Sequence, residues 1–193
     1  MIHGSDGILS IGTVSGGVSY NSVKSDEDNA YYTVTGNGSI TDGWWGCFVE
    51  GTNIVLSDKT TKKVEDITYD DELLVWDFYE GKQSFAKPIW IKQPELADYY
   101  YKVTLEGGTV LNLVGSNGKS HRLYDYEKHE FAYPQDMGRD HTVTMDYRGL
   151  HIESIERIDK PIKYYNIITD KHYNLYAEGI LTSCRISNRY GIK

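Results

Sequence analysis

A thiol stands directly after a glycine at Gly46-Cys47, where the sequence passes into the strand-like run Phe48-Val49-Glu50-Gly51-Thr52. A cysteine can turn its sulfur on the peptide carbonyl just before it. Glycine at that carbonyl removes the side chain that would crowd the attack and accepts strained backbone angles. The product is a thioester that carries the preceding chain on the sulfur, an N-to-S acyl shift. Amide resonance opposes it, with a rotational barrier of about 18–20 kcal/mol. A site that favours the shift must twist the amide, protonate its nitrogen or hold the developing oxyanion. Cys47 and Cys184 are the only cysteines among 193 residues. Two cysteines do not make a disulfide framework, and free thiols are the expectation. A lone cysteine is also ordinary core material, which is the plain alternative for both.

The elements that must position Cys47 read as strands. Residues 1–46 are rich in Gly, Ser, Asn and Asp, and Lys24 is their single basic side chain other than His3. Runs such as Gly7-Ile8-Leu9-Ser10-Ile11 and Tyr31-Tyr32-Thr33-Val34 predict two to four short strands with glycine turns, including Gly36-Asn37-Gly38. So short a segment is expected to need a partner surface to bury its apolar residues. Trp44 and Trp45 suit that anchoring, or a clamp on the bond beside them.

From Cys47 onward the β pattern is steady. It runs through Asn53–Ser57, Lys63–Ile67, Glu72–Phe78 and Gln83–Pro88. Tyr100–Leu105 and Thr109–Val114 flank Glu106-Gly107-Gly108, a hairpin signal. Later runs are Ile152–Ile158, Lys163–Ile168 and Asn174–Ala177. Seventeen tyrosines among many Val, Ile and Thr favour strands. No stretch keeps helical periodicity for three turns, so the reading is all-β, a barrel or sandwich of short strands.

A net charge of −8 excludes a basic stripe for nucleic acid. No apolar run reaches the length of a membrane span. The opening Met1-Ile2-His3-Gly4-Ser5-Asp6 lacks the basic and apolar regions of a secretory signal. Synthesis in the cytoplasm is the expectation.

Three blocks then resemble the Hint fold of Hedgehog autoprocessing domains, inteins and bacterial intein-like domains. The first runs from Cys47-Phe48-Val49-Glu50-Gly51-Thr52 through Asp71-Glu72-Leu73-Leu74, the second is Gly118-Lys119-Ser120-His121-Arg122-Leu123-Tyr124, and the third is Tyr164–Ile167 through Asn174–Cys184. The resemblance implies a horseshoe-like β domain over 47–188, a β-rich flank at 1–46 and a short tail at 189–193. It implies that Cys47 is the nucleophile and that His121 hands a proton to the departing nitrogen. An imidazole with an ordinary pKa of roughly 6.5 suits that task, which is typically worth about 10²–10⁴-fold. It places Asp170 and His172 where relatives carry acidic and histidine helpers, with an ordinary loop pair as the alternative. Cys184, at the close, is an acyl acceptor, a redox partner of Cys47 or core.

Departures limit the analogy. Inteins end on His-Asn; here those places hold Ser183 and Cys184, as in Hedgehog-type domains, and Asn188 lies beyond them. Full splicing is therefore not expected. The threonine that usually stands three residues before the histidine is Gly118 here, with Ser116 and Ser120 as neighbouring hydroxyls. No sterol-recognition segment follows, so the expected acceptor is water or a small nucleophile. No cofactor is indicated. Cys47, His121, His172 and Cys184 are four ligand-type side chains, but their spacing is not that of a structural zinc site. His3, His129, His141 and His151 fit no pattern and are expected at the surface. The competing reading is a structural protein, for example of a virion or surface assembly, that keeps the fold with weak or lost chemistry. A cysteine hydrolase acting on other molecules would need an open groove and an orienting partner for the histidine, and neither is marked.

Overall fold

The structure is a computed structural model that describes residues 47–92, 94–115 and 118–184, with the backbone of four strands before them. Gly46, Trp44, Trp45, the 36–38 turn, Ser116, Asn188 and the 189–193 tail lie outside the described residues.

The first segment contributes β1 (Ile2–His3), β2 (Ile8–Leu9), β3 (Ser19–Ser25) and β4 (Ala30–Thr35), which form a sheet of their own. Then follow β5 (Cys47–Val49), β6 (Asn53–Val55), β7 (Thr61–Lys63), β8 (Leu73–Asp77) and β9 (Lys82–Ala86). Next come β10 (Pro88–Ile91), β11 (Glu95–Ala97), β12 (Tyr100–Leu105), β13 (Val110–Val114), β14 (Leu123–Asp125) and β15 (Glu130–Ala132). The chain ends on β16 (His141–Val143), β17 (Gly149–Ile158), β18 (Ile162–Tyr165), β19 (Ile167–Thr169), β20 (Asn174–Ala177) and β21 (Ile180–Ser183). One short helix, α1 (Pro134–Met137), starts on a proline, which suits a first turn that needs no N–H. No helix among the described residues is long and apolar enough to cross a membrane.

A seven-stranded sheet, ordered β11-β18-β5-β13-β12-β17-β16, and a six-stranded sheet, ordered β15-β14-β21-β20-β6-β7, carry most of the fold. The expected 106–108 turn joins β12 to β13, with Tyr101 opposite Leu113 and Val103 opposite Leu111. Alternation along β12 buries Tyr101, Val103 and Leu105, as a pleated strand with one core face requires. Phe48, Leu73, Leu105, Leu113, Leu123, Ile167 and Leu175 meet in one core. Each such side chain, fully buried, contributes about 1.5–3 kcal/mol.

Two expected runs are broken for identifiable reasons. Val64 and Ile67 both reach the core, yet residues three apart face opposite sides of a strand. The chain therefore leaves β7 and makes a 3₁₀ turn over Val64–Asp66, closed by Ile67 N–H on the Val64 carbonyl. The Lys163–Ile168 run divides at Asn166. Tyr165, Ile167 and Ile168 are all buried, so β18 serves the seven-stranded sheet while β19 pairs with β10 instead. Asn166 holds the bend: its Oδ1 accepts from Ile167 N and its carbonyl accepts from Lys92 N.

Candidate functional site

β5 lies between β13 and β18, with Cys47 opposite Val114, Phe48 opposite Leu113 and Tyr165, and Val49 opposite Tyr164. Successive side chains of a strand leave on opposite faces, and β5 uses both. Cys47 and Val49 cluster with Val114, flanked by Tyr100, Ile162 and Tyr164. Phe48 belongs to the main core.

The Cys47 thiol is fully enclosed, and burial pushes it up to about 12; Lys92 acts to lower it and Glu95 to raise it. Those two groups are linked. Lys92 Nζ lies 2.9 Å from Glu95 Oε1 and sits over the Tyr164 ring at 5.4 Å. Tyr164 donates its hydroxyl to Glu95 Oε2 at 2.6 Å. Burial works against ionisation of Glu95, but the bonds from Tyr164 and Lys92 outweigh it and hold the carboxyl below its ordinary range. The sequence reading missed this trio. Its one signal is the β11–β18 register, which sets Glu95 opposite Tyr164 and which only tertiary structure supplies.

His121 is buried, and its ring stands 4.6 Å from that of Phe48, the residue after Cys47. Its Nε2 donates to the Ser183 carbonyl. A carbonyl only accepts, so Nε2 carries the hydrogen and Nδ1 is the nitrogen through which the ring gives or takes a proton. The loop before His121 explains how the ring arrives. β13 ends at Val114, the partner of Cys47. At the next residue, Gly115, a Cβ would fall 1.8 Å from the Lys119 carbonyl oxygen, so the loop can fold flat onto the strand end only over glycine. Gly118, where the resemblance expects threonine, has φ +78 and belongs to that same turn. Ser120 is committed elsewhere: its N–H and hydroxyl both meet Gln135 Oε1 at 3.2 Å.

Cys184 is a buried free thiol, as is Cys47. Its Sγ lies 3.1 Å from Thr169 Oγ1, which donates to the Lys171 carbonyl, and Cys184 N–H reaches the Tyr173 carbonyl. Asp170 exchanges bonds with Lys87, accepting its N–H on Oδ1 and donating its own N–H to the Lys87 carbonyl. His172 Nδ1 stands 3.9 Å from Asp77. Burial holds that imidazole below its ordinary pKa, although Asp77 pulls the other way. The partners of Asp170 and His172 thus lie at β8 and just before β10. Asn174, which helped mark the closing block, staples β20 to β8 by bonding both the N–H and the carbonyl of Trp76.

The four ligand-type side chains Cys47, His121, His172 and Cys184 are not gathered as a metal set. Among the described residues, Glu106, His141 and His151 are the group that converges. His141 and His151 are part-exposed, as expected of surface residues, and the β16–β17 register sets them opposite each other, a pairing the sequence does not show. His129, exposed and edge-on to Tyr126, agrees with that expectation.

No family model matches the sequence, and no curated protein matches it either. Solved structures do. The chain is similar to a bacterial intein-like domain from Clostridium thermocellum, at 18% identity and TM-score 0.61, covering 71% of this chain and 97% of that one. The DnaB intein from Synechocystis sp. aligns at 14% identity and TM-score 0.60, over 74% of this chain and all of the other (100%). The gp41-1 intein aligns at 17% identity and TM-score 0.58, over 72% and 98%.

Proposed function

We propose that this chain, which has the Hint fold of inteins and intein-like domains, cuts its own backbone at Gly46-Cys47. The Cys47 sulfur attacks the Gly46 carbonyl carbon, a C–S bond forms, and the C–N bond breaks. The thiol proton leaves the sulfur, and the departing nitrogen receives one through His121 Nδ1, so that Cys47 ends with a free α-amine. Water then releases the preceding chain as a carboxylic acid, and a small thiol or amine caps it instead. Ser183-Cys184 stand where inteins carry His-Asn, and Asn188 lies beyond that place, so the reaction stops at cleavage or transfer.

The observation that carries this reading is the juxtaposition at β5. The residue after the proposed nucleophile packs its ring on a buried imidazole, whose orientation is fixed by the Ser183 carbonyl. Positioning of that kind supplies the proton without a diffusing acid.

A second reading is favoured by one feature, the burial of the thiol. At pH 8 a thiol with its pKa near 12 is ionised in roughly one molecule in 10⁴, which makes the first step slow. In that reading residues 1–46 stay attached and serve an assembly partner. Intact mass of freshly purified protein, incubated with and without dithiothreitol, separates the two. Self-processing yields a fragment that begins at Cys47, together with residues 1–46 as a thiol adduct, and neither forms in Cys47→Ala. A chain that stays whole after long incubation with thiol at several pH values supports the assembly reading.

A further inference from the structure

The edge of the seven-stranded sheet holds a group of side chains that the cleavage chemistry does not use. β16 and β17 pair antiparallel with His141 directly opposite His151. Their rings meet edge to face with centroids 6.0 Å apart. Glu106, in the turn between β12 and β13, accepts from His151 Nδ1 on Oε2 at 3.0 Å. On the other side Glu127 accepts from His141 Nδ1 at 2.7 Å and from the His141 N–H at 2.6 Å.

We propose that Glu106, His141 and His151 form a site for a divalent transition-metal ion, with Glu127 as the outer partner that orients His141. One ligand atom from each of the three lies within 4.8 Å of the others. Two ligands at about 2.0–2.1 Å from a tetrahedral zinc ion stand about 3.3 Å apart. The 3.0 Å between Glu106 Oε2 and His151 Nδ1 is close to that, so an ion can take the place of the proton now shared there. Donation of Nδ1–H from His141 to Glu127 leaves Nε2 as the metal-facing nitrogen, the carboxylate–histidine arrangement that fixes ring orientation and raises ligand basicity.

Three further features agree. The carboxylates of Glu106 and Glu127 put negative charge beside the two rings, which suits a divalent cation. The His141 and His151 side chains are 42% and 40% exposed, so an ion can enter from solvent. Gly149 leaves room for the first ring, because a Cβ there would stand 3.3 Å from His141 Cβ. Imidazole and carboxylate donors suit zinc, nickel or copper rather than calcium or magnesium. Three protein ligands leave the fourth position to water or to an added ligand. Binding there ties the 106–108 turn to the β16–β17 edge.

Zn²⁺ titrated into the full chain by calorimetry tests the site, with Co²⁺ absorption reporting donor type. The expected result is one ion per chain, Co²⁺ bands without thiolate charge transfer, and a higher melting temperature with metal. His141→Ala and His151→Ala should abolish binding, and Glu127→Gln should weaken it about 10–100-fold, with metal-free melting unchanged. Glu106→Gln, in an exposed turn, checks the third ligand should a histidine variant fold poorly. The Cys47→Ala, Cys184→Ala double variant should bind as the parent does. No binding, binding that survives both histidine variants, or binding lost with the cysteines overturns the proposal. Because the cysteines are dispensable to it, this test is independent of whether the chain cleaves itself.

Discussion

The two faces of β5 treat neighbouring residues in opposite ways. Cys47 points into a small apolar enclosure whose polar wall is Lys92, Glu95 and Tyr164. Phe48 points into the main core and carries His121 on its ring. One face therefore sets how readily the sulfur ionises, and in the proposed cleavage the other supplies the proton. In the proposed acyl shift, a single strand with side chains alternating by face serves the two needs, a thiolate and an acid, from opposite sides. The difference teaches that the thiol and the imidazole are tuned independently, and each can be perturbed alone.

The largest expected effect follows from removing the sulfur: Cys47→Ala should abolish thiol-induced cleavage, read by intact mass. His121→Gln should come next, slowing cleavage by about 10²–10⁴-fold while circular dichroism stays that of the parent. Residual cleavage within a few-fold of the parent would show that the Phe48 face supplies no acid. On the other face the effects should be smaller and of opposite sign. Glu95→Gln removes the charge that raises the Cys47 pKa and should speed cleavage by up to about tenfold, the equivalent of one pKa unit. Lys92→Met should slow it by a similar factor. Time courses at fixed pH and thiol concentration distinguish the two, and the same sign for both would break the division.

Enclosure of the thiol also makes stability depend on pH. In the unfolded chain a cysteine ionises near pH 8.5, whereas the folded Cys47 keeps its proton to about 12. The stability this contributes is complete below about pH 8.5 and is lost as the pH rises toward 12, at up to about 1.4 kcal/mol per unit. Urea midpoints of a slow-cleaving His121→Gln chain should fall between pH 9 and 10, and adding Cys47→Ala should make that fall shallower. The smallest effect concerns Cys184. With its sulfur held by Thr169, Cys184→Ala should change the cleavage rate by less than about threefold; a larger loss would return it to the chemistry.

The fold was legible because alternation is local. The Tyr100–Val114 hairpin and the Asn174–Ala177 strand can be read from their own residues, while the partner strand of the closing pair came with the resemblance. The breaks at Val64 and Asn166 were not, since each is forced by core positions that belong to other strands. At the proposed site, Cys47 stands out by residue type after a glycine, and His121 through the resemblance of its block to the Hint fold. Lys92, Glu95 and Tyr164 were not, because they converge through β11–β18 pairing across a wide sequence gap. The His141–His151 pair was invisible for the same reason: ten residues apart, the two meet only through β16–β17 register. Gly115 carried a signal that the sequence reading passed over. A glycine just after a strand and before a histidine loop marks a close backbone approach.

The most direct test is to treat the intact chain with neutral hydroxylamine, which attacks thioesters far faster than amides, and to weigh both fragments. The expected result is residues 1–46 as a C-terminal hydroxamate and a second fragment that starts with Cys47 bearing a free amine. A chain that keeps its full mass under those conditions, with the fold intact by circular dichroism, would mean that no acyl group ever passes to the sulfur.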